Sequence, residues 1–353
     1  FFFGKALYMT SAMFLSPGNP HKIDFRRDFD RLKVVGSGSF GEAILCLDRR
    51  SHRQVVVKRM SRKGIDPKEM AQAVNEVQIL SSLNHINIVQ YIDSWVEKGL
   101  LYIEMEYAEG GDLHQKIKAC RLRDQPIPQG RVLDWFMQMC AALKHLHDQK
   151  ILHRDLKTQN IFLCCNDSVI KMGDFGISRL LANSREEAQT FVGTPFYMSP
   201  ELISEKPYNS KSDIWALGVV VYEVMTFRHP FEATTLAHLA RKIASGVYPL
   251  VETTRHGTHY SPELCQVVHT MLQVDAKVRP SVNQLLRLPL FRARLRQIYA
   301  ESHPPVLPAG TPNPDPYPCP PTPAPKGPPA PQPKPASPPP AVGRPKSPVS
   351  PKE

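Results

Sequence analysis

The sequence predicts an α+β fold of two lobes, a small β-rich one carrying a single helix and a larger, mainly helical one, followed by a disordered proline-rich tail. Three observations predict it. Residues 29–105 alternate short β-branched runs with one amphipathic stretch. After Glu106, Tyr107 and the turn-forming Gly110 and Gly111, apolar residues recur at helical spacing. Beyond Ser302 proline dominates, in stretches such as TPNPDPYPCPPTPAP, which bury too little apolar surface to offset their ordering entropy and read as a partly polyproline II segment. The expected boundaries are a poorly ordered extension over 1–28, a folded domain over 29–291 with lobes at about 29–105 and about 110–291, and a linker with tail over 292–353.

The elements follow in chain order. Residues 1–15 are apolar but hold Lys5 and lead to no clear small-residue cleavage site, so they read as a truncated or misassigned end rather than a secretory signal. Gly36, Ser37, Gly38, Ser39, Phe40 and Gly41 lie between the apolar runs 32–35 and 43–47, which places the glycines in a hairpin. Such glycine spacing is as often a tight turn as a phosphate cradle. The strand-turn-strand context argues against a dinucleotide fold, which needs a helix directly after the glycines, and suits backbone amides laid over phosphates. Val55, Val56 and Val57 lead to Lys58, and a helical stretch over 68–82 carries Glu76 amid Val74, Val77 and Leu80. A lone strand-end lysine is ordinarily just solvated; with a glutamate on the next helix it reads as the ammonium that holds α and β phosphates. Within 131–149, Val132, Phe136, Met139, Leu143 and Leu146 recur at helical spacing and are expected to pack as core without doing chemistry.

The most specific signal is the string His153, Arg154, Asp155, Leu156, Lys157, Thr158, Gln159, Asn160, followed by Asp174, Phe175 and Gly176. It offers a carboxylate to orient a hydroxyl nucleophile, an ammonium to neutralise a migrating phosphoryl group, and two oxygen ligands for magnesium. His-Arg-Asp alone recurs by accident. With the asparagine downstream and the second aspartate after two short predicted strands, it reads as a phosphoryl-transfer site.

Composition excludes several alternatives. A chain of 353 residues, 42% of them hydrophobic, can bury one sizeable core or two lobes. No apolar run approaches the ~20 residues that cross a bilayer. The seven cysteines form no CxxC, and Cys46, Cys140 and Cys165 fall within predicted strands and helices, a pattern of reduced thiols in the cytosol or nucleus. The net charge of +11 is spread along the chain without an RNA-recognition or zinc-finger signature, so nucleic acid is not an expected partner.

On the blocks HRDLKTQNIFL from His153, GDFGISRLL from Gly173, TFVGTPFYMSPEL from Thr190 and KPYNSKSDIWALG from Lys206, residues 29–291 resemble the NIMA-related serine/threonine kinases of the eukaryotic protein kinase family. Ser199-Pro200-Glu201 in place of the commoner Ala-Pro-Glu, and Gly173 before Asp174, are usual there. The resemblance implies the bilobal protein kinase fold with a regulatory helix in the small lobe. It also implies transfer of the ATP γ-phosphoryl to protein serine or threonine, with magnesium or manganese. In that pattern Glu106 and Ala108 would hold adenine, Val56 and Phe162 would sandwich it, Met105 would close the back, and Asp112 would face the ribose. Gly36, Gly38, Ser39 and Gly41 would cover the phosphates; Lys58 paired with Glu76 would hold them, and Asn160 and Asp174 would bind the metal. Asp155 would orient the acceptor hydroxyl and Lys157 steady the γ-phosphoryl.

The same resemblance implies a supporting frame. Leu80, Phe175 and His153 would stack as an internal column resting on Asp213, and Glu201 would pair with Arg279. The segment 174–201 would be an activation loop in which Thr190, near Thr194, takes a phosphate read by Arg154 and Arg179. Neutral Gln159 argues against strong selection for basic substrates, the family implies an apolar residue three positions before the acceptor, and Ile177 suggests threonine over serine. Ala43 and Ile86 depart from the pattern, at a usual valine and a usual proline, without touching the phosphate chemistry. The implied setting is the cytoplasm, with the nucleus, centrosome or cilium as family alternatives, in cell-cycle, microtubule or cilium processes. A second class of function stays open, a kinase-fold scaffold recruiting SH3 or WW domains through the tail, against which stands the retention of Lys58, Asp155 and Asp174.

Overall fold

The computed structural model describes residues 23–38, 41–61, 81, 83–174, 195–251, 254–255 and 258–302. Ser39, Glu76, Leu80, Phe175, Ile177, Arg179, Thr190, Thr194 and the proline-rich tail lie outside them. The first lobe is a five-stranded antiparallel sheet of β1 (Phe29–Gly38), β2 (Gly41–Asp48), β3 (Arg53–Ser61), β4 (Tyr91–Glu97) and β5 (Leu100–Glu106), in the order β1-β2-β3-β5-β4. Strand alternation sorts its side chains: Val55 and Val57 are buried on one face, while Val56 and Lys58 are partly exposed on the other, toward the second lobe.

The face carrying Val55 and Val57 has an aromatic cover. Trp95 stacks between Phe29 and Tyr102, at 5.4 and 5.2 Å, over Ile44, Cys46, Val55 and Val57. This corrects the expectation for the segment before residue 29. Residues 23–28 are packed: α1 (Phe25–Asp28) is capped by the Asp24 carboxylate, Phe25 stacks on Tyr102 at 5.1 Å, and the Phe25 N–H donates to Glu97 Oε2 at 2.8 Å.

The second lobe opens with α2 (Leu113–Leu122) and α3 (Gln129–Asp148), where Val132, Phe136, Met139, Leu143 and Leu146 are all buried. A 3₁₀ turn (Thr158–Asn160) and the hairpin β6 (Ile161–Cys164) and β7 (Val169–Met172) follow. Then come a second 3₁₀ turn (Pro195–Tyr197), α4 (Pro200–Ile203), α5 (Ser210–Thr226) and α6 (Leu236–Ser245). A small hairpin, β8 (Thr254–Arg255) with β9 (Thr258–His259), precedes α7 (Pro262–Met271), α8 (Val282–Leu286) and α9 (Pro289–Ser302). The α5 helix starts in an Asn209–Ser212 capping box and is buried on every side from Ser212 to Thr226, which makes it the axis of this lobe.

Two expectations shift here. Cys165 is exposed in the β6–β7 turn, not in a strand; it, Asn166 and Asp167 all have positive φ (53°, 54° and 64°). The ordered chain also runs past residue 291, where a linker was expected. Phe291 packs edge-on against Phe136 at 5.0 Å, and Arg294, 4% exposed, grips Asp134 through two bonds of 2.8 and 2.9 Å. Among the described residues no helix is long and apolar enough to cross a membrane.

Candidate active site between the lobes

The roof of the cleft is the β1–β2 hairpin, with Gly36 opposite Ala43, Ser37 opposite Glu42 and Gly38 opposite Gly41. Gly41 has φ +144°, and a Cβ there would lie 1.9 Å from the Arg59 carbonyl oxygen, so the approach of β3 admits only glycine. Val56 and Met105 are cross-strand partners, and the chain leaves β5 through Glu106 and the buried Ala108. Phe162, the expected floor, lies on β6 and forms a bridge with Asp112. A side chain at Gly173 would come within 2.9 Å of the Phe162 ring and 3.0 Å of Val89, so the missing methyl lets the ring approach the backbone before Asp174. Gly110 and Gly111 stitch the connector to β6 through Gly110 N to Leu163 O and Leu163 N to Gly111 O, both 2.8 Å. Asp112 then caps α2, accepting from Gln115 N at 2.8 Å, so its carboxylate is already engaged by the helix it starts.

Facing this roof, the 153–160 segment gathers its polar groups around one carboxylate. Asp155 Oδ2 accepts from Lys157 Nζ at 2.8 Å and from Asn160 Nδ2 at 2.9 Å, and the Asn160 amide also donates to Asp155 O at 2.8 Å. Gly173 N to Asn160 O, 2.9 Å, ties this loop to the residue before Asp174. Asp174, with φ +54°, forms an ion pair with Lys58 across the cleft. Burial alone would push its carboxyl up; the Lys58 ammonium more than compensates and holds it below the ordinary carboxylate range. Of the Lys58–Glu76 pair, only Lys58 is among the described residues.

The loop rests on Asp213, at the start of α5 and fully buried. It accepts the backbone N–H groups of His153 and Arg154, both at 3.1 Å, together with His147 Nε2 at 2.8 Å and the Tyr208 hydroxyl. Burial works against its ionisation, but these donors keep it ionised, with the His147 bond the strongest. Arg154 is held there at φ +66°, while burial drives the His153 imidazole down and keeps it neutral. Behind the site Glu201 receives two bonds of 2.8 Å from Arg279 and one of 2.5 Å from Ser212 Oγ.

Sequence reading gave no role to Thr158, Tyr197 or Glu223, which meet directly beside Lys157. Thr158 Oγ1 lies 2.9 Å from the Tyr197 hydroxyl, and that hydroxyl donates to Glu223 Oε2 at 2.5 Å. Burial next to Glu223 pushes the Tyr197 phenol up, so it remains a donor that fixes the 195–199 segment against the loop. The only signal in the chain was that three polar residues sit inside otherwise apolar or motif-bearing stretches.

The residues present fit a nucleotide with a hard divalent cation. Asn160 spends its amide nitrogen on Asp155, which leaves its oxygen for a cation, and Asp174 adds a carboxylate; two protein oxygens completed by phosphate oxygens are what magnesium takes. Among the described residues no cluster of three or more His, Cys, Asp or Glu competes for a metal. Comparison with known proteins agrees. Residues 29–291 match the family model described as protein kinase domain. The chain is 45% identical over 270 residues to the probable serine/threonine-protein kinase nek3 of Dictyostelium discoideum, covering 76% of this chain and 24% of that protein. It is 44% identical over 267 residues to the serine/threonine-protein kinase Nek1 of Mus musculus (76% and 22%) and 45% identical over 262 residues to Nek4 of Mus musculus (74% and 32%). It thus spans between 22% and 32% of the length of these relatives.

Proposed function

The chain belongs to the protein kinase family, and from that premise we propose that it transfers the γ-phosphoryl group of ATP to serine or threonine hydroxyls of proteins. The observation that carries the proposal is the Asp155–Lys157–Asn160 cluster standing opposite the Lys58–Asp174 pair. Asp155 orients the acceptor hydroxyl and takes up its proton, and Lys157, already at that carboxylate, steadies the phosphoryl group as charge develops. Lys58 holds the α and β phosphates, aided by Glu76 and the amides of the Gly36–Gly38–Gly41 hairpin. Asn160 and Asp174 would hold a magnesium ion, which neutralises phosphate charge when bound. Adenine lies between Val56 and Phe162, bonded to the connector at Glu106 and Ala108. Catalysis is then mainly positioning and electrostatic stabilisation.

Control is assigned to the 174–201 segment. A phosphate on Thr190 would add about two negative charges, with Arg154 and Arg179 as its partners by the family pattern, and act through charge-assisted bonds. The acceptors are threonine and serine with an apolar residue three positions upstream, in cell-cycle, microtubule or cilium processes of the cytoplasm, nucleus or centrosome. The tail is a linker first; recruitment of SH3 or WW domains would coexist with catalysis and not replace it.

The test uses purified full chain, labelled MgATP and a positional peptide library. Turnover on Ser/Thr peptides is expected, with Asp155→Asn and Asp174→Ala each lowering it by at least ~10³ while the protein stays folded. Near-parental turnover in either variant would overturn the catalytic assignment, tyrosine phosphorylation would overturn the acceptor class, and full activity of Thr190→Ala would remove the proposed switch.

A further inference from the structure

One charged group near the cleft has no part in the chemistry above. Lys171 lies on β7, directly opposite the floor residue Phe162 in the β6–β7 register. Its ammonium donates to the Ile86 carbonyl at 3.0 Å and pairs with Glu106 Oε1 at 2.8 Å. The same Glu106 oxygen accepts the Gln90 N–H at 2.7 Å, and the Glu106 N–H returns to Gln90 O at 3.0 Å. The Lys171 side chain is 18% exposed and that of Glu106 28%, so this is a partly desolvated, multiply bonded pair and not a surface contact. The floor strand, the connector at Glu106 and the Ile86 carbonyl therefore meet at one ammonium. The carbonyl lent by Ile86 is at the position where the family pattern has proline, and the turn there is held by Ile88 N to His85 O at 3.0 Å.

We infer that Lys171 is a positioning residue for the nucleotide, fixing the connector at the height above Phe162 that lets its backbone bond the adenine. The inference rests on the nucleotide-binding reading proposed above. Lys171 reaches no residue assigned to phosphate, metal or acceptor, so its loss acts on nucleotide affinity and leaves the phosphoryl-transfer step alone. Without the ammonium, Glu106 keeps the Gln90 N–H but loses its link to the floor strand and to the Ile86 carbonyl, and the connector gains freedom that each bound nucleotide must then remove.

The experiment compares the full chain with Lys171→Met, Lys171→Arg, Glu106→Gln and the Lys171→Met/Glu106→Gln double variant. MgADP affinity is read by titration calorimetry, steady-state kinetics use MgATP and peptide, and melting temperature is followed in parallel. Lys171→Met is expected to raise Kd for MgADP and KM for ATP about three- to tenfold, the scale of one or two lost polar links. Its kcat and peptide KM should stay within about twofold, Lys171→Arg should restore most of the affinity, and the double variant should bind no worse than the weaker single. Unchanged Kd in both single variants would overturn the inference, as would a rise in kcat, which would make the pair a restraint on turnover. Equal losses on both substrates with a lowered melting temperature and no rescue by arginine would reduce Lys171 to a structural role. Absence of MgADP binding by the parent chain would instead strike at the nucleotide reading itself, and this inference would fall with it.

Discussion

Arg279 is 1% exposed, and each of its five N–H groups has an acceptor: Gln273 O, Lys211 O, Val274 O and the two oxygens of Glu201. Burial penalises the Glu201 carboxylate, and the guanidinium and Ser212 outweigh that penalty. Glu201→Gln would keep the shape but strand a buried cation, so a stability loss of about 3–5 kcal/mol is expected in denaturant unfolding; a loss below ~1 kcal/mol would show that the pair is dispensable. Glu104 presents the opposite balance. It is 1% exposed, Arg50 offers a single bond at 3.1 Å, and Asp48 and Asp93 lie nearby, so burial pushes its carboxyl up to about 7. A carboxyl raised in the folded state gives stability that is fully present below the ordinary carboxylate range and lost as pH climbs toward about 7. Glu104→Gln should therefore melt higher relative to the parent chain at about pH 8 than at about pH 5; a difference that does not change with pH would refute this reading. At this scale the sequence was legible wherever function runs along the chain, as from His153 to Asn160. It was silent where partners are brought together from afar: Thr158 and Glu223 are 65 positions apart, and only the packing of α5 beneath the loop joins them.

The interiors of the elements were legible for a related reason. Alternation over Val55–Val57 and helical spacing from Val132 to Leu146 are repeated signals, and each repeat reports burial on the same side. Ends carry no repeat. Residues 23–28 form too short a turn to show periodicity, and their ordering comes from Tyr102 and Glu97, both far along the chain. In α9, past Phe291, the buried residue is an arginine, which a hydrophobic pattern scores as surface although it spends its charge on Asp134. Truncation separates the two boundaries. A chain ending at Ser302 should melt within about 2 °C of the full chain, whereas one ending at Phe291 loses the Arg294 grip and should melt lower by roughly 2–4 °C per kcal/mol lost. Equal melting of the two truncated chains would show that residues 292–302 add nothing to the domain. The Gly41 position shows the converse, a residue whose glycine identity is required both by the hairpin and by the Arg59 carbonyl behind it.

At the scale of the molecule, the two lobes share more than the connector after β5. Residues 87–89 precede β4 in the chain, yet they are bonded to the second lobe: Asn87 Nδ2 to Gln138 Oε1 at 2.7 Å and to Ile170 O at 2.9 Å, Met172 N to Asn87 O at 2.9 Å, and Val89 N to Met172 O at 2.8 Å. Ile88 completes this seam as a parallel bridge to Met172. A lobe boundary drawn from sequence at about residue 105 therefore misses a piece of the first lobe that is bonded as part of the second. For isotope exchange this means that the Val89 and Met172 amides are guarded by one another's strands. They are released only when the larger lobe itself opens, so they should exchange as slowly as α5, while the amides of β1, an edge strand of the sheet, exchange first and independently. The small lobe would then lose its protection in two steps from a single stretch of chain, with the break falling near Gln90.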